Sequence, residues 1–398
     1  MAEVTNYIDR LAAELCPEGV EYRPLGELLG YEQPTKYLVS SKDYDDSYPT
    51  PVLTAGKTFI LGYTNETEGI YPASKEEPVI IFDDFTTAFK WVEFPFKAKS
   101  SAMKMLTLKS GNNSLFKYVY YAMQCIVYNS SDHARQWISK YSNIEVPVPP
   151  IEIQEAIVEI LDKFTNLEAE LEAELEARTL QYEYYRDSLL ASFSESAVKF
   201  YSIEELFTTR NGYTPSKSNS SYWENGTVPW FRMEDIRENG GVLSEALQSV
   251  HESALKKGGM FPAGSIIVAT SATIGEHALI NVDFLCNQRF TVLTPKEEFK
   301  SLLLPKFLYY YSFVLDRWCL ANTTQSSFAS VDMKRFKKFE FPLPSLEEQQ
   351  RIVDILDRFD ALTTSLSEGL PAELAARHSQ YEYYRDQLLT FPRKGENQ

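Results

Sequence analysis

The sequence contains two copies of one helical segment, and this duplication constrains the fold more than any other feature. The first copy reads VPVPPIEIQEAIVEILDKF over residues 146–164, and the second reads FPLPSLEEQQRIVDILDRF over residues 341–359. Both copies end on nearly the same string, QYEYYRDSLL from Gln181 and QYEYYRDQLL from Gln380. A match of this length indicates two related halves, each closed by one copy of the segment.

Each copy has the residue spacing of a long amphipathic helix. Apolar residues recur three and four positions apart, which places them on one helical face. They are Ile157, Ile160, Leu161, Phe164 and Leu167 in the first copy and Ile352, Ile355, Leu356, Phe359 and Leu362 in the second. At about 1.5 Å per residue, a helix over residues 151–190 would be about 60 Å long. Gly369 and Pro371 interrupt the second copy and predict a kink or a restart there.

The start of the chain fits the same duplicated scheme. Residues 22–29 align with residues 200–207, and residues 115–123 align with residues 304–312. Each half therefore begins where one helical segment ends and finishes with the next one. We expect a circular arrangement in which the N-terminus lies near the C-terminal helix. The two long helices should pair antiparallel, with the globular halves at opposite ends and related by a pseudo-two-fold axis.

The regions between the helical segments combine short strand-like runs, Gly, Pro and Asn punctuation and one helix each. The sequence thus predicts an α+β protein with two mixed α/β domains separated by two long antiparallel helices, a coiled coil. The expected parts are an N-terminal segment at 1–20, a first domain at 21–150, a central spacer helix at 151–197, a second domain at 198–344, a second helix at 345–390 and a tail at 391–398.

The acidic charge of the chain is unevenly distributed. The net charge is −17, of which residues 151–197 contribute −9 and residues 345–390 contribute −5. Overall acidity argues against nucleic-acid binding, because phosphates must be neutralised by Lys and Arg. Since most of the acidity lies on the two helical segments, the globular domains are near neutral and remain candidates for binding DNA.

Cysteine usage and hydropathy indicate a cytoplasmic protein. Cys16, Cys125, Cys286 and Cys319 lie far apart and form no CxxC pair, so we expect free thiols in a reducing compartment. The four histidines are equally scattered, which argues against a Cys/His metal site. No apolar run approaches the roughly 18 residues of a membrane span, and no N-terminal signal pattern is present, so no membrane is expected among the partners.

Polar, glycine-containing loops in both domains mix Lys, Arg, Asn and Gln with aromatic residues. In the major groove of DNA, Arg and Lys pair with guanine and Asn and Gln pair with adenine, while further Lys and Arg bind phosphates. Solvated turns have the same composition, so both interpretations stay open for each residue. The candidate DNA-binding residues are Thr54, Lys57, Tyr63, Lys90, Lys99, Lys104 and Arg135 in the first domain and Arg210, Lys217, Arg232, Thr270, Arg289 and Gln325 in the second.

No group of residues in the sequence has the arrangement of a catalytic site. Phosphate-binding glycine loops, nucleophile elbows and HExxH motifs are absent. Metal-assisted cleavage of DNA needs converging carboxylates and a nearby lysine, and Asp83 and Asp84 followed by Lys90 and Glu93 come nearest to this. However, Glu93 precedes Phe-Pro, so the usual Glu-x-Lys spacing is missing. A turn or cap is the favoured interpretation, and we predict a non-catalytic protein without metal ligands.

The chain resembles the specificity subunit of type I restriction–modification enzymes, in the subclass with four-residue repeats in the central helix. The resemblance rests on the VPVPPIEIQ and FPLPSLEEQ strings, the ILDKF and ILDRF helices and their QYEYYRD ends. Residues 50–64 and 212–230 are also similar to target-recognition domains of that family. The resemblance covers essentially the whole chain.

This resemblance implies that each domain is a target-recognition domain that reads one half of a split, asymmetric site in double-stranded DNA. It also implies two methyltransferase (modification) subunits and restriction/translocase subunits as partners. S-adenosylmethionine, ATP and Mg would be bound only by those partners. The chain itself is expected to bind no cofactor and to have no activity alone.

The central helix contains a tandem four-residue repeat, LEAE-LEAE-LEAR, over residues 167–178. One repeat adds about 6 Å and about 40° of rotation to a helix, whereas one DNA base pair adds about 3.4 Å and about 36°. We therefore expect that inserting or deleting one repeat changes the spacer between the half-sites by about one base pair.

Glutamates of this repeat stack as like charges four residues apart, which destabilises an isolated helix. Arginines of the second helix, a basic partner surface or simple solvation could each account for them. The arginines in question are Arg358, Arg377 and Arg385. The candidate partner-binding residues are Glu168, Glu172, Glu176, Tyr182 and Tyr381.

Two other classes of function remain open at this point. A coiled-coil scaffold or adaptor whose globular ends bind proteins would explain the acidic character. The diverged polar loops between duplicated anchors favour DNA over a protein partner. An endonuclease built on Asp83 and Asp84 is the least favoured alternative.

Overall fold

The computed structural model describes residues 2–56, 58–111, 115–128, 135–195, 198–324, 329–364 and 369–395. Contacts divide the chain into two compact units. Unit 1 is Met1–Glu170 with Ala375–Gln398, and unit 2 is Leu171–Leu374. Each unit combines helices with β-sheets, which confirms the predicted α+β class. Within the described residues, no helix has both the length and the apolar character needed to cross a membrane.

The described residues of unit 1 form three sheets. Its elements up to the long helix are α1 (Ala2–Leu15), β1 (Glu21–Pro24), α2 (Leu25–Leu28), β2 (Leu29–Glu32), β3 (Thr50–Leu53), β4 (Ile60–Thr64), β5 (Val79–Asp83), β6 (Phe89–Val92), β7 (Lys97–Ala98), β8 (Met103–Leu108), α3 (Phe116–Gln124), β9 (Glu145–Val148) and α4 (Ile151–Ala191). Strands β2, β8, β5 and β6 form a four-stranded sheet in that order, β4, β3 and β7 form a three-stranded sheet, and β1 pairs with β9.

The described residues of unit 2 form four sheets. Helix α4 passes into this unit at Leu171, and the last helix of the chain passes back into unit 1 after Leu374. After α4 the elements are β10 (Lys199–Ser202), α5 (Ile203–Leu206), β11 (Phe207–Asn211), β12 (Val228–Phe231), α6 (Met233–Asn239), β13 (Val242–Leu243), β14 (Ser249–Val250), β15 (Ser265–Ala269), β16 (His277–Ile280), β17 (Leu285–Cys286), β18 (Phe290–Pro295), α7 (Glu297–Lys300), α8 (Pro305–Ala321), β19 (Thr323–Thr324), β20 (Ser330–Val331), α9 (Met333–Phe336), β21 (Glu340–Leu343), α10 (Leu346–Thr364) and α11 (Gly369–Leu388). The sheets have the orders β11-β18-β15-β16-β13, β14-β12-β17, β10-β21 and β19-β20.

The two units share one strand topology. The antiparallel pairs β2–β8, β8–β5 and β5–β6 of unit 1 correspond to β11–β18, β18–β15 and β15–β16 of unit 2. A short parallel pair is present in both units, β3 with β7 and β12 with β17. Unit 2 adds β13 beside β16. The duplication seen in the helical segments therefore extends through sheets whose sequences have diverged.

Helix α4 is continuous over 41 residues, as the sequence predicts. Neither proline nor glycine occurs in residues 151–191, and apolar residues at helical spacing bury one face of its N-terminal part. The second copy consists of two helices, since α10 ends at Thr364 and α11 begins at Gly369. Gly369 has a φ of +81°, and a Cβ atom there would lie 2.5 Å from the carbonyl oxygen of Ala361. The expected interruption is confirmed.

In unit 1, α4 and α11 run antiparallel. Phe164 of α4 stacks on Tyr384 of α11 with ring centroids 5.6 Å apart. One turn further along α4, Glu168 lies 3.1 Å from His378, which precedes Tyr384 in α11. The later residue of one helix therefore meets the earlier residue of the other, as predicted.

The two ends of the chain meet within unit 1. The amide of Val20 donates a hydrogen bond to the carbonyl of Pro392, and the amide of Lys394 donates to the carbonyl of Val20, both at 2.9 Å. Ile8 of α1 belongs to the same buried apolar cluster as Leu388 of α11. The predicted proximity of the N-terminus and the C-terminal helix is confirmed.

One helix in each unit is fixed to a long helix by the same three side chains. In unit 1 the lysine lies 3.2 Å from the carboxylate, and the tyrosine hydroxyl donates to the same carboxylate. In unit 2 the lysine lies 2.7 Å from the carboxylate, and the tyrosine hydroxyl donates to that carboxylate at 2.5 Å. This lysine–tyrosine–aspartate clamp consists of Lys117, Tyr121 and Asp162 in unit 1 and Lys306, Tyr310 and Asp357 in unit 2.

A buried glutamine organises the first turn of each repeated helix. Gln154 accepts a hydrogen bond from the amide of Leu115 at 2.9 Å and donates to the carbonyl of Pro149 at 2.8 Å. Gln349 accepts from the amide of Leu304 at 2.8 Å and donates to the carbonyl of the proline before its helix at 3.0 Å. Because buried amides need partners, the repeated Pro and Gln in the motif serve a structural purpose.

Candidate nucleic-acid interface

In each unit, two short parallel strands bring candidate residues together at one sheet edge. In unit 1, β3 and β7 pair in parallel and are followed by Thr54 and Lys99. In unit 2, β12 and β17 pair in parallel and are followed by Arg232 and Asn287. Because the carboxyl ends of parallel strands lie at the same edge, the side chains that follow them lie close together. Three predicted DNA contacts, Thr54, Lys99 and Arg232, thus occupy this edge.

The turn after the second parallel strand has the same backbone hydrogen bonds in both units. We call it the edge turn, and it comprises residues 99–102 in unit 1 and 287–289 in unit 2. Its first amide donates to a carbonyl of the neighbouring parallel strand, at 3.0 Å in unit 1 and 3.1 Å in unit 2. Its last amide donates to a side chain within the turn, Ser100 Oγ at 3.1 Å or Asn287 Oδ1 at 2.9 Å. The backbone is therefore held independently of the exposed side chains.

In unit 2 the edge turn lines a cleft of about 640 Å³. Lys217, Arg232 and Arg289 face this cleft from three separate segments, so the fold brings three predicted DNA contacts together. Glu224 and Glu234 also line it, which leaves only a small excess of positive charge. The remaining lining residues are Thr214, Ser220, Trp223, Trp230, Gln248, Asn287 and Gln288.

Two tryptophans form an aromatic wall of the cleft. Trp223 and Trp230 meet edge to face with ring centroids 5.0 Å apart. Each indole N–H donates to a backbone carbonyl, that of Ser216 at 3.1 Å and that of Tyr213 at 3.0 Å. The guanidinium of Arg232 lies 5.6 Å from the centroid of the Trp230 ring. The wall is held in place by hydrogen bonds and limits where Arg232 can point.

The equivalent surface of unit 1 is built from different side chains. The Lys99 ammonium donates to the Tyr44 hydroxyl at 2.7 Å and lies 5.2 Å from the centre of its ring. The Thr54 hydroxyl donates to the carbonyl of Thr58 at 2.5 Å. Tyr63 lies on β4 beside β3. Three predicted contacts of unit 1 are therefore associated with one three-stranded sheet.

Two of the candidate DNA contacts are buried, which corrects the sequence-based expectation for them. Lys104 has no exposed surface and lies 3.1 Å from the equally buried carboxylate of Asp84. Thr270 is 8% exposed, and its hydroxyl lies 2.8 Å from that of Thr291. Side chains enclosed in this way cannot contact DNA in this fold, so Lys104 and Thr270 contribute to the core instead.

Arg210 binds a loop of its own unit. Its guanidinium donates hydrogen bonds to the carbonyls of Gly259 and Met260, each at 3.2 Å. It also lies 3.9 Å from the centroid of the Phe261 ring, within the range of a cation–π contact. Arg210 therefore has a structural role, which is to hold the loop at residues 259–261, and this role was not predicted from the sequence.

Two further candidates among the described residues stand apart from the edge turns. Lys90 is exposed on β6 of the four-stranded sheet. Arg135 is exposed and immediately precedes two buried residues. Lys57 and Gln325 lie outside the described residues.

The three stacked glutamates of the central helix have different environments. Glu168 is largely buried in unit 1, where its carboxylate lies 3.1 Å from His378 Nδ1. Glu172 and Glu176 are exposed and belong to unit 2. A histidine that the sequence analysis did not consider thus partners the first glutamate, while the other two remain available at the surface.

The repeated string QYEYYRD exposes a different tyrosine from the one that we predicted as a partner contact. Tyr182 and Tyr381 are buried, and burial raises the pKa of the Tyr182 hydroxyl to about 12. The hydroxyl of Tyr381 donates to the side-chain oxygen of Gln124. Two residues later, Tyr184 and Tyr383 are 69% and 60% exposed. The exposed tyrosine is the same member of the string in both units.

The acidic pair considered as part of a nuclease site stabilises local structure. Asp83 Oδ1 accepts hydrogen bonds from the amides of Phe85 at 2.9 Å and Thr86 at 2.8 Å. Asp84 is buried and accepts the amide of Trp137 at 2.8 Å. Among the described residues, no group of three His, Cys, Asp or Glu side chains could hold a metal ion. The interpretation as a turn is confirmed.

Three residues beside the candidate DNA contacts were not predicted from the sequence. Tyr44 contacts Lys99, and Trp223 and Trp230 line the cleft of unit 2. The available signal for Trp223 was a large aromatic residue within the polar string NSSYWENG. Tyr44 carries no such signal, because its contact with Lys99 joins residues that are far apart in the sequence.

Comparison with known sequences identifies one family. The family described as type I restriction modification DNA specificity domain matches residues 17–177 and 195–376. The EcoR124I/EcoR124II specificity subunit of Escherichia coli is 49% identical over 406 residues, covering 98% of each chain. The EcoprrI specificity subunit of Escherichia coli is 54% identical over 201 residues, covering 49% of this chain and 50% of that one.

Solved structures share the fold. The S subunit of a type I restriction–modification system from M. genitalium has a TM-score of 0.51 at 14% identity, covering 93% of this chain and 96% of that chain. A chain from a structure on complex assembly and conformational transition of the type I R-M system has a TM-score of 0.56 at 16% identity, covering 93% and 97%. Since the family match includes both units, the chain belongs to the type I restriction–modification specificity subunits, as its sequence motifs indicated.

Proposed function

We propose that this chain is the non-catalytic, sequence-reading subunit of a type I restriction–modification complex. Unit 1 and unit 2 each read one half of a split, asymmetric site in double-stranded DNA. The observation that carries the proposal is the edge turn, which has equivalent backbone hydrogen bonds but different side chains in the two units. A duplicated frame with different side chains is suited to reading two different half-sites.

The proposed DNA contacts are clustered by the fold. Thr54, Tyr63 and Lys99 in unit 1 and Lys217, Arg232 and Arg289 in unit 2 form the two reading surfaces. The exposed side chains of Lys90 and Arg135 would supply contacts to phosphates, because cations on a DNA-binding surface replace condensed counterions. Base contacts would then come from the edge turns and the residues beside them.

Two methyltransferase subunits are the proposed partners of the exposed tyrosines, one for each unit. Tyr184 meets Tyr185 edge to face at 5.6 Å, and Tyr383 meets Tyr384 in the same way at 5.3 Å. Tyrosine is enriched at interfaces because it combines an apolar ring with a polar hydroxyl. Identical surfaces on two units suit two copies of one partner. Restriction/translocase subunits complete the proposed complex, and S-adenosylmethionine, ATP and Mg would be bound by these partners.

Mapping methylated adenines tests the reading function directly. Host cells that carry this chain and its methyltransferase subunit should show one split, asymmetric motif, and cells without this chain should not. The proposal would be contradicted if the purified chain, together with the methyltransferase subunit, bound random duplexes and the mapped motif equally well.

Helix α4 is the proposed spacer between the half-sites. It continues through the four-residue repeats at residues 167–178 without a break. Inserting one LEAE unit should lengthen the non-specific spacer by about one base pair and leave both half-sites unchanged, because the helix gains about 6 Å and about 40°. A same-length replacement of residues 171–174 by another helix-forming sequence is the control and should keep the original spacer. An insertion variant with the original spacer would exclude this role.

A further inference from the structure

The edge turn of unit 2 has two exposed side chains, Gln288 and Arg289, and hydrogen bonds hold its backbone at both the amide and the carbonyl of its last residue. The amide of Arg289 donates to Asn287 Oδ1 at 2.9 Å, and its carbonyl accepts from the amide of Thr270 at 3.1 Å. Equivalent hydrogen bonds of 3.1 and 3.0 Å hold the turn of unit 1. Gln288 and Arg289 are both exposed. Their side chains can therefore differ from those of unit 1 without any change in the frame.

We infer that Gln288 and Arg289 read a guanine in the half-site bound by unit 2, an inference that rests on the function proposed above. The guanidinium of Arg289 can only donate hydrogen bonds. The hydroxyl of Thr214 donates to Gln288 Oε1 at 2.5 Å and takes one of the two lone pairs of that oxygen, whereas the NH2 of Gln288, which is also a donor, is not engaged by Thr214.

The hydrogen-bond pattern of the bases selects the target of a turn whose guanidinium can only donate. In the major groove, guanine presents two acceptors, N7 and O6. Adenine presents one acceptor and one donor, and cytosine presents a donor. To read adenine with both of its groups, Gln288 would have to accept a second hydrogen bond at the amide oxygen that already accepts one from Thr214.

The charges in the cleft favour a base edge over a phosphate. Lys217, Arg232 and Arg289 line it together with Glu224 and Glu234. One Glu234 carboxylate oxygen lies 4.0 Å from Arg232 Nε. Carboxylates so close to the cations would repel a phosphate, and a surface built to bind the DNA backbone has an excess of uncompensated cations. The near balance of charge is suited to discrimination between neutral base edges.

The first test is the Arg289→Ala substitution, examined in the full complex with the methyltransferase subunit by mapping methylated adenines. The wild type should require guanine at one position of one half-site. The variant should accept other bases there, with discrimination reduced by about 10- to 100-fold, while the other half-site stays unchanged. Lys300→Ala is the control, since Lys300 is an exposed cation of the same unit that pairs with Glu297 away from the cleft.

The second test uses Thr214→Val, which removes the hydroxyl that competes for the amide oxygen of Gln288 and leaves all charges in place. The variant should tolerate adenine in place of guanine at the position that Gln288 contacts. Thr208→Val, at an exposed position of β11 in the same unit, is the matched control and should leave the motif unchanged. Melting temperatures of all four variants should match the wild type, because the substituted side chains are not part of the buried core.

Three results would overturn the inference. The wild-type motif could contain no guanine in either half-site, or Arg289→Ala could leave both half-sites unchanged. Arg289→Ala could also weaken binding to all sequences equally and lower the salt dependence by about one ion, which is the signature of a phosphate contact. In each case the wild-type complex still reads a split site. Failure of the wild-type complex to select any sequence would instead exclude the proposed function itself.

Discussion

Unit 1 and unit 2 have corresponding sheets, and one equivalent position in these sheets is occupied by different side chains. In unit 1, the ammonium of Lys104 lies 3.1 Å from the carboxylate of Asp84, and neither side chain has exposed surface. In unit 2, the corresponding residues are Thr291 and Thr270, whose hydroxyls lie 2.8 Å apart. The equivalence follows from the backbone, because the amides of Asp84 and Thr270 donate to the last carbonyl of their edge turns at 3.0 and 3.1 Å.

The difference shows that the backbone conformation of the edge turn does not depend on a buried pair of charges. Removing a carboxylate and an ammonium from water is costly, and their attraction seldom exceeds that cost by much. Two hydroxyls satisfy each other at the same place in unit 2. The charged pair in unit 1 has further contacts, since Asp84 also accepts the amide of Trp137 at 2.8 Å and the Lys104 ammonium lies 5.2 Å from the centroid of the Tyr31 ring. The pair therefore fixes an additional segment, and its net contribution to stability can be measured.

The largest expected effect comes from breaking the charged pair on one side. Lys104→Thr leaves the Asp84 carboxylate buried without its cation and should destabilise unit 1 by about 3–5 kcal/mol. Asp84→Thr combined with Lys104→Thr reproduces the arrangement of unit 2 and should recover most of that loss. Chemical denaturation of the purified variants measures both values.

The control for this pair is Thr291→Ala in unit 2, which removes two neutral hydrogen bonds, to Thr270 and to Asn211, and should cost about 1–3 kcal/mol, less than Lys104→Thr. A double variant that is as unstable as Lys104→Thr alone would show that unit 1 depends on its charges in a way that unit 2 does not.

A smaller and symmetrical effect is expected at the lysine–tyrosine–aspartate clamp. Tyr121→Phe in unit 1 and Tyr310→Phe in unit 2 each remove a hydrogen bond to a carboxylate and should each lower stability by about 1.5–3 kcal/mol. Unfolding curves of the two single variants should therefore shift by similar amounts. Tyr128→Phe, which loses a hydrogen bond to the neutral amide of Gln136, is the control and should cost less. Unequal shifts would mean that the duplicated contact differs in strength between the units.

The smallest expected effect concerns the exposed tyrosines. Tyr184→Ala and Tyr383→Ala should each weaken the binding of one methyltransferase subunit by about 1–2 kcal/mol, because each removes one interface side chain without disturbing the fold. Native mass spectrometry should show a larger share of complexes with only one methyltransferase subunit for each single variant, and a larger share with neither subunit for the double variant.

Glu183→Ala and Glu382→Ala are matched controls, since these exposed residues directly precede the two tyrosines. Single tyrosine variants that lose both methyltransferase subunits together, or that lose neither, would contradict two equivalent docking surfaces.

Part of the error about the tyrosines could have been avoided from the sequence. Tyr182 lies seven residues after Leu175 and eleven after Leu171, so it continues the apolar stripe of the central helix. Burial of Tyr182 therefore follows from helical periodicity, and Tyr184 lies on another face. The same reasoning applies to Tyr381 and Tyr383. The prediction failed because the string was treated as a unit rather than placed on the helix.

Lys104 and Arg210 could not have been assigned in this way. The partner of Lys104 lies 20 positions earlier, directly after another strand, and the carbonyls bound by Arg210 lie about 50 positions later. Whether a lysine or arginine in a polar stretch reaches solvent depends on such contacts, which have no local pattern. The three cations of the unit 2 cleft come from separate segments for the same reason.

The sequence by itself determined the duplication, the long central helix, the interruption of the second helix and the meeting of the chain ends. These features follow from repeats, helical periodicity and the backbone preferences of glycine and proline, all of which act over a few neighbouring residues. Only the tertiary structure decided which candidate residues lie together on the proposed reading surfaces and which are buried. Burial and charge pairing arise between residues that are distant in the chain, and the pairing of strands determines which of them meet.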